Sequence, residues 1–377
     1  MKKIITQRYA VKTRRCTEKI IFNYFSVHLR VFTAYLCVAA LFSCVDEVQL
    51  PIRQTERRLV VEGLITDGPF PWVRLTYTGY YNSSNPAPPE LVINDALVQI
   101  RDEEGRSVRL VPDPFAPAYY GLRDSSFVGK VGRSYTLSVT LPDGSRYESR
   151  PERLNPVPPL EPLRARYRRG LSELGQPDLY DILVDTQDPS ALGNYYRWSS
   201  LAYVPRWTEF DPRHPPFNPF GPICGTCSCW VPSYGPPTDV LSDALINGNR
   251  ISGRIVYSVP IMAVSAYYVQ IRQYSLTRAA YQYWNLFEQQ RTRTGSLFDP
   301  QPASIEGNVR AVSDTTKLAL GFFGASAMSQ QRLTIPGDTI NYDRFLINGK
   351  RFIPPTGDCY TNFSQPILVP PQGWPPR

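Results

Sequence analysis

Short runs of alternating apolar and polar residues recur along the chain from residue 58 onward, while helical spacing is rare. Leu59-Val60-Val61-Glu62-Gly63-Leu64-Ile65 is a β-rich run closed by Asp67-Gly68. Trp72–Tyr77 alternates in its second half and Tyr135–Leu141 throughout. A period of two marks a strand with one buried face. Ala96–Arg101 and Val108–Val111 flank Asp102-Glu103-Glu104-Gly105, a hairpin with a glycine-closed turn. Pro142-Asp143-Gly144-Ser145 turns the chain into Arg146–Ser149. Strands at this spacing with no helix between them predict a β-sandwich over residues 58–150. Asn155 to Pro162 is proline-rich, so residues 151–162 read as a stiff connector.

Residues 163–377 read as a second β-rich domain with one inserted helix. An arginine-rich run, Arg164 to Arg169, reads as a solvated strand face. Strands are predicted at Tyr180–Asp185, from Asn194 to Val204, at Arg254–Val259 and at Ala266–Arg272. Ile305–Val309 and Leu318–Phe323 are strand-like with glycine breaks. The helix spans about 276–291, with Ser275 as N-cap and Leu276, Ala280, Tyr283 and Phe287 on one apolar face. Residues 205–239 carry Pro, Gly and Cys and read as a long loop. A loop of that length needs a function or a cross-link.

Composition sharpens this picture. The 37 prolines argue against a helical bundle and for short strands. The net charge of +8 suggests nucleic acid, but its location removes that reading. Residues 1–43 hold eight Lys/Arg and one acid, leaving 33 basic and 32 acidic residues in the remainder. A net +1 gives no phosphate-neutralising field, so nucleic acid is not an expected partner.

The charge belongs to a targeting segment. Val31–Phe42 is a twelve-residue apolar run behind Arg30, too short for the roughly 20 residues of a membrane span and right for a signal h-region. It ends Leu41-Phe42-Ser43-Cys44, which resembles a bacterial lipobox, although Phe42 is bulkier than that position usually carries. Cys44 is therefore the expected lipidation site, residues 1–43 the signal segment and 44–57 a lipidated tether. Residues 1–27 are long for an n-region, which suggests an over-extended start. Lipidation implies an envelope protein held on a membrane surface, and the acidic pair Asp46-Glu47 resembles the short acidic tracts that send some lipoproteins to the cell exterior.

Four cysteines then remain: Cys224, Cys227, Cys229 and Cys359. An even number in an exported chain suggests two disulfides. Three pairings are open. A local bridge from Cys224 and a long-range bridge from the cluster to Cys359 are favoured, since Cys227–Cys229 is too tight. A zinc site would need a second CxxC that the sequence lacks, so no metal is expected. His214 is the sole histidine after the signal and lies in a Pro-rich loop, so a histidine-dependent triad is not expected. Nor is a phosphate loop present. No cofactor and no enzymatic activity are expected.

The motifs in order are a lipobox, LVVEGLITDG with PWVRLTYT, GRSYTLSVTLPDGSRYES, a proline-rich connector, NYYRW, LTRAAYQYWNLFEQQ, PASIEGNV, LGFFGASA and GDCYTNF. This series resembles the Bacteroidetes outer-membrane lipoproteins of the domain-of-unknown-function family 4249. The resemblance implies no assigned activity and association with TonB-dependent outer-membrane transporters in nutrient uptake. The first domain is similar to carboxypeptidase-regulatory-like sandwiches, implying an Ig-like or transthyretin-like fold. The expected function is thus a non-enzymatic surface lipoprotein that binds such a transporter or its substrate. The expected contact surface is the 205–239 loop, through Trp207, Phe210, Phe217, Phe220, Trp230 and Tyr234. Two alternatives are a carboxylate-dependent glycan hydrolase and a structural envelope assembly factor.

Overall fold

A computed structural model describes residues 57–79, 91–171, 176–209, 226–236, 239–262, 265–292, 305–314, 316–337, 346–347, 350–351 and 354–375. The signal segment, Cys44 and almost all of the tether lie outside the described residues. Residues 56–377 form one compact unit, and its architecture is mainly β.

The N-terminal part supplies β1 (Leu59–Thr66), β2 (Trp72–Tyr77), β3 (Leu97–Asp102), β4 (Ser107–Pro112), β5 (Tyr119–Gly121), β6 (Ser134–Thr140), β7 (Arg146–Ser149) and β8 (Glu152–Arg153). Alternation does what it predicts: Leu59, Val61 and Ile65 of β1 and Tyr135, Leu137 and Val139 of β6 are buried. The β3–β4 turn is held by Asp102, whose Oδ1 accepts from the backbone N–H groups of Glu104 and Arg106 at 3.1 and 2.9 Å. Gly105 takes the left-handed conformation that the turn requires, with φ of 86°. Burial works to raise the Asp102 pKa, but hydrogen bonds and charge from Arg106 outweigh it and hold it below the ordinary value.

Two strands from far along the chain complete this sheet. They are β16 (Val309–Ala311) and β17 (Leu320–Ser326). The order is β16-β7-β6-β3-β4-β5-β2-β1-β17. β17 lies parallel to β1, from Val60 opposite Leu320 to Thr66 opposite Ser326. The two ends of the path meet through a bridge between Arg310 and Leu318, so the sheet is nearly closed. Gly321 is required there: it has φ of 90°, and a Cβ would stand 2.1 Å from the Val61 carbonyl. Val309, Ala319, Phe323 and Ala325 sit in the same core as Val61 and Leu137. The division into 58–150 and 163–377 is corrected accordingly, because residues 309–326 belong with the first sheet. Parallel pairing needs a long crossover, and local patterning carries no trace of the partner.

The rest of the chain forms a second sandwich. One sheet is β14 (Arg250–Pro260), β10 (Leu179–Gln187) and β9 (Arg164–Arg168), in the order β14-β10-β9. The other contains β11 (Tyr195–Trp207), β12 (Ser228–Tyr234), β13 (Asp239–Ser242), β15 (Tyr267–Leu276) and β18 (Met328–Ile335). Its order is β12-β11-β15-β18, with β13 also on β11. Even-numbered residues of β11, among them Tyr196, Trp198 and Val204, join Ile182, Val184 and Val269 in the shared core. Odd-numbered ones face away. β9 is exposed as predicted, but its arginines are engaged: Arg164 chelates Asp185 and Arg168 chelates Asp181.

Part of the predicted 205–239 loop is strand. β11 and β12 form a ladder from Leu201 opposite Tyr234 to Trp207 opposite Ser228. Pro205 is tolerated because β15 has already ended its pairing with β11 at Tyr203. A disulfide joins Cys229 of β12 to Cys359, 130 residues later, at the start of a short helix, α2 (Cys359–Asn362). The segment after it runs back along β12, where Trp230 and Ile367 exchange backbone hydrogen bonds at 2.9 Å.

The long helix is α1 (Arg278–Arg291). Its cap is Thr277, not Ser275. Thr277 Oγ1 accepts from Ala280 N at 3.1 Å and donates to Glu152 Oε2 at 2.6 Å. Ser275 and Leu276 are strand residues, and the Ser275 hydroxyl is used by Asn155 O and Ala327 N.

Candidate functional site

α1 lies across the outward faces of two sheets. Beneath it, Leu276, Ala280, Tyr283 and Phe322 form a small apolar core of their own. Strand alternation explains which residues reach it. On β17, Phe323 and Ala325 point into the first core, so Phe322, Gly324 and Ser326 point out. On β11, Tyr196 and Trp198 point into the second core, so Tyr195 and Arg197 point out toward α1. Tyr195 stacks on Tyr281 with centroids 4.9 Å apart.

A cavity of 130 Å³ remains between α1, β1, β2, β11 and β17. Trp72, Tyr283, Trp284, Phe287 and Phe322 give it aromatic walls, and Arg197 and Glu62 supply charge. Gly324 leaves its floor without a side chain. Tyr283 packs against Phe322 at 5.1 Å and Phe287 at 6.4 Å. Burial pushes the Tyr283 hydroxyl up to about 12, with Glu62 adding to the shift, so it stays a neutral phenol. Phe287 is 38% exposed and Trp72 36% exposed, which puts both at the rim.

Arg197 is the unusual member. Its guanidinium carbon lies 4.4 Å from the centroid of Trp284 and 5.1 Å from that of Tyr274. Its Nε, like those of Arg206, Arg254 and Arg310, is buried with no acceptor among the described residues, and no carboxylate among them pairs with Arg197. Burial lowers its pKa, and the Tyr274 hydroxyl opposes that shift. Glu62 is the one acid lining the cavity, and it pairs with Arg74 at 3.3 Å. A second, wider depression of 490 Å³ flanks α1 on the other side, lined by Tyr195, Val240, Leu245, Arg278, Tyr281 and Gln282.

The buried carboxylates elsewhere are engaged in holding the fold. Asp181 takes Arg166, Arg168 and Ser258; Asp185 takes Arg164, Ser252 and the Gly253 N–H. Burial works to raise both pKa values, and these partners outweigh it to hold them low. Glu152 is different: burial raises its pKa, against hydrogen bonds from Thr277 and Asn308. Among the described residues no three His, Cys, Asp or Glu side chains gather as a metal site.

The residues expected from sequence lie elsewhere. Trp207 is half-buried near the end of β11. Trp230 is structural rather than a free contact: its Nε1 donates to Ala266 O at 2.9 Å, and its ring meets Tyr268 edge-on at 5.9 Å. Tyr234 is 69% exposed. None of the three lines the α1 cavity. Phe210, Phe217, Phe220 and Cys224 lie outside the described residues. Cys227 is disulfide-bonded, and the bridge to Cys359 is made by Cys229. Arg197 was missed although NYYRW shows the signal, a cation at an alternating position between two aromatic core residues. No curated protein matches the chain. The chain belongs to the family described as Domain of unknown function (DUF4249), whose model matches residues 45–332, a span that takes in every wall of the α1 cavity.

Proposed function

We propose that this protein is an outer-membrane lipoprotein that works with a TonB-dependent transporter in nutrient uptake, as a binding component rather than an enzyme. In this reading the cleft beneath α1 holds the transported substrate. The observation that carries the reading is the cavity itself. It is aromatic, open at Trp72 and Phe287, and it contains a half-buried arginine, Arg197, with no acid partner among the described residues. Buried polar groups that serve the fold are satisfied by the fold. The carboxylates Asp102, Asp181 and Asp185 are each matched by arginines; Arg197 shares an acceptorless Nε with Arg206, Arg254 and Arg310, and differs in lining an aromatic cavity with no acid paired to it among the described residues. Pockets with apolar walls and few convergent polar groups are where small ligands bind.

The lipobox-like sequence at Cys44 supports membrane attachment. The test is a C-terminally tagged chain expressed in its native host, extracted gently from the outer membrane and analysed by mass spectrometry. A TonB-dependent transporter co-purifying in a fixed ratio is the expected result. Recovery of Cys44→Ala in the soluble fraction is the accompanying expectation. A chain that comes out alone, or a wild type that is soluble, overturns the reading.

A further inference from the structure

We propose that the cleft beneath α1 is a receptor for a small monocarboxylate carried on an apolar, ring-sized body, with Arg197 as the partner of the carboxylate. This rests on the reading of the cleft as the binding site and adds the class of its ligand.

The argument begins with Arg254, which serves as an internal control. Its guanidinium lies over Trp198, 4.8 Å from the centroid, and it also pairs with Asp239. Arg197 has the same arrangement over Trp284, and both arginines have a buried Nε without an acceptor; the difference is that no acid among the described residues pairs with Arg197. Cation–π contact does not replace a carboxylate, because a guanidinium lying on a ring face retains N–H groups that need acceptors. A ligand carboxylate supplies two oxygens in the geometry that a guanidinium fork takes.

Size and charge narrow the class. A cavity of 130 Å³ is close to the ~150 Å³ that accommodates benzene. Tyr283, Trp284, Phe287 and Phe322 present ring faces and edges to whatever fills it, which favours a flat apolar body. Among the described residues Arg197 is the single cation lining this cavity, and Glu62 at the same cavity is already paired with Arg74, so one carboxylate is matched and the second charge of a dicarboxylate or a phosphate is not. The wider depression past Tyr281 also holds an arginine, Arg278, but that side chain is exposed and stacks on no ring among the described residues.

The experiment titrates the full chain with phenylacetate and with its neutral counterpart phenylacetamide, reading tryptophan fluorescence and calorimetric heat. Wild type is expected to prefer the acid by about ten- to a hundredfold, the range of a charge-assisted hydrogen-bonded pair. Arg197→Gln is expected to erase that preference, Arg197→Lys to keep part of it, and Phe287→Ala to weaken both ligands alike. Equal affinity for acid and amide in wild type overturns the carboxylate inference and leaves the cleft reading standing. A preference for the acid that survives Arg197→Gln overturns the assignment of the carboxylate to Arg197, and affinities for both ligands unchanged in Phe287→Ala place binding elsewhere and overturn the inference. No binding of either probe overturns the inference and the cleft reading together. The acid–amide comparison in wild type needs no variant, so a folding defect in Arg197→Gln does not shield the proposal.

Discussion

A fragment ending at the proline-rich connector should not fold. Residues 58–162 contain β1 to β8 but neither β16 nor β17. Removing β17 strips β1 of a partner along seven consecutive positions, Val60 to Thr66. The fragment also lacks Phe323, which is fully buried, together with Val309, Ala319 and Ala325. Emptying one buried phenylalanine costs about 3–5 kcal/mol. A domain's entire stability is about 5–15 kcal/mol, so the loss of Phe323 and three smaller core residues consumes most or all of it. The bared β1 is also an open edge, which invites aggregation. The assay is guanidinium unfolding followed by circular dichroism. We compare residues 57–377, the same chain with Phe323→Ala, and the fragment 58–162. The intact chain should unfold cooperatively, Phe323→Ala should lose about 3–5 kcal/mol, and the fragment should show no transition. Joining residues 305–327 to the fragment through a flexible linker should restore one. A fragment 58–162 that unfolds cooperatively without that addition would refute the reasoning.

Three further outcomes are expected. Replacing Cys229 and Cys359 together by Ala opens a closed loop of 130 residues and should cost about 2–5 kcal/mol, seen as a lower denaturation midpoint in the oxidised protein; an unchanged midpoint refutes it. Glu152 has a folded pKa raised above its ordinary value of 4.5, so its contribution is full below that value and is lost as pH rises through the folded pKa. Glu152→Gln should therefore gain on wild type between about pH 4 and pH 7, read from midpoints across that range, and a parallel pH profile contradicts this. Trp230→Ala should destabilise by about 3 kcal/mol while Tyr234→Ala changes stability by less than about 0.5 kcal/mol, and equal effects would undo the distinction between a packed ring and an exposed one.

Much of the fold was legible because strands with one buried face write their period into the sequence. β2 and β6 fall where alternation puts them, and the Asp102–Gly105 turn carries its own Asx bond and glycine. What alternation lacks is any record of partners. Leu318–Phe323 read as a strand of the second region, yet its partner is β1, some 260 residues earlier. The helix start was displaced because Ser275 and Thr277 both suit a cap, and the choice was made by Glu152, which holds Thr277 in place from a distant strand. β12 was hidden by Pro232 and by flanking Gly and Pro, although its backbone pairs fully with β11. The site was less legible than the fold. Aromatic residues near prolines drew attention to Trp230, which the C-terminal segment covers. Arg197 and Trp284 are each ordinary in sequence and acquire meaning when α1 is laid across β11.

The most direct measurement is native mass spectrometry of the wild-type protein and of Arg197→Gln, both extracted from the outer membrane of the native host. The account expects wild type to carry a small organic acid that is released on unfolding and is missing from the variant. The same ligand occupancy in the two, whether loaded or empty, would contradict it.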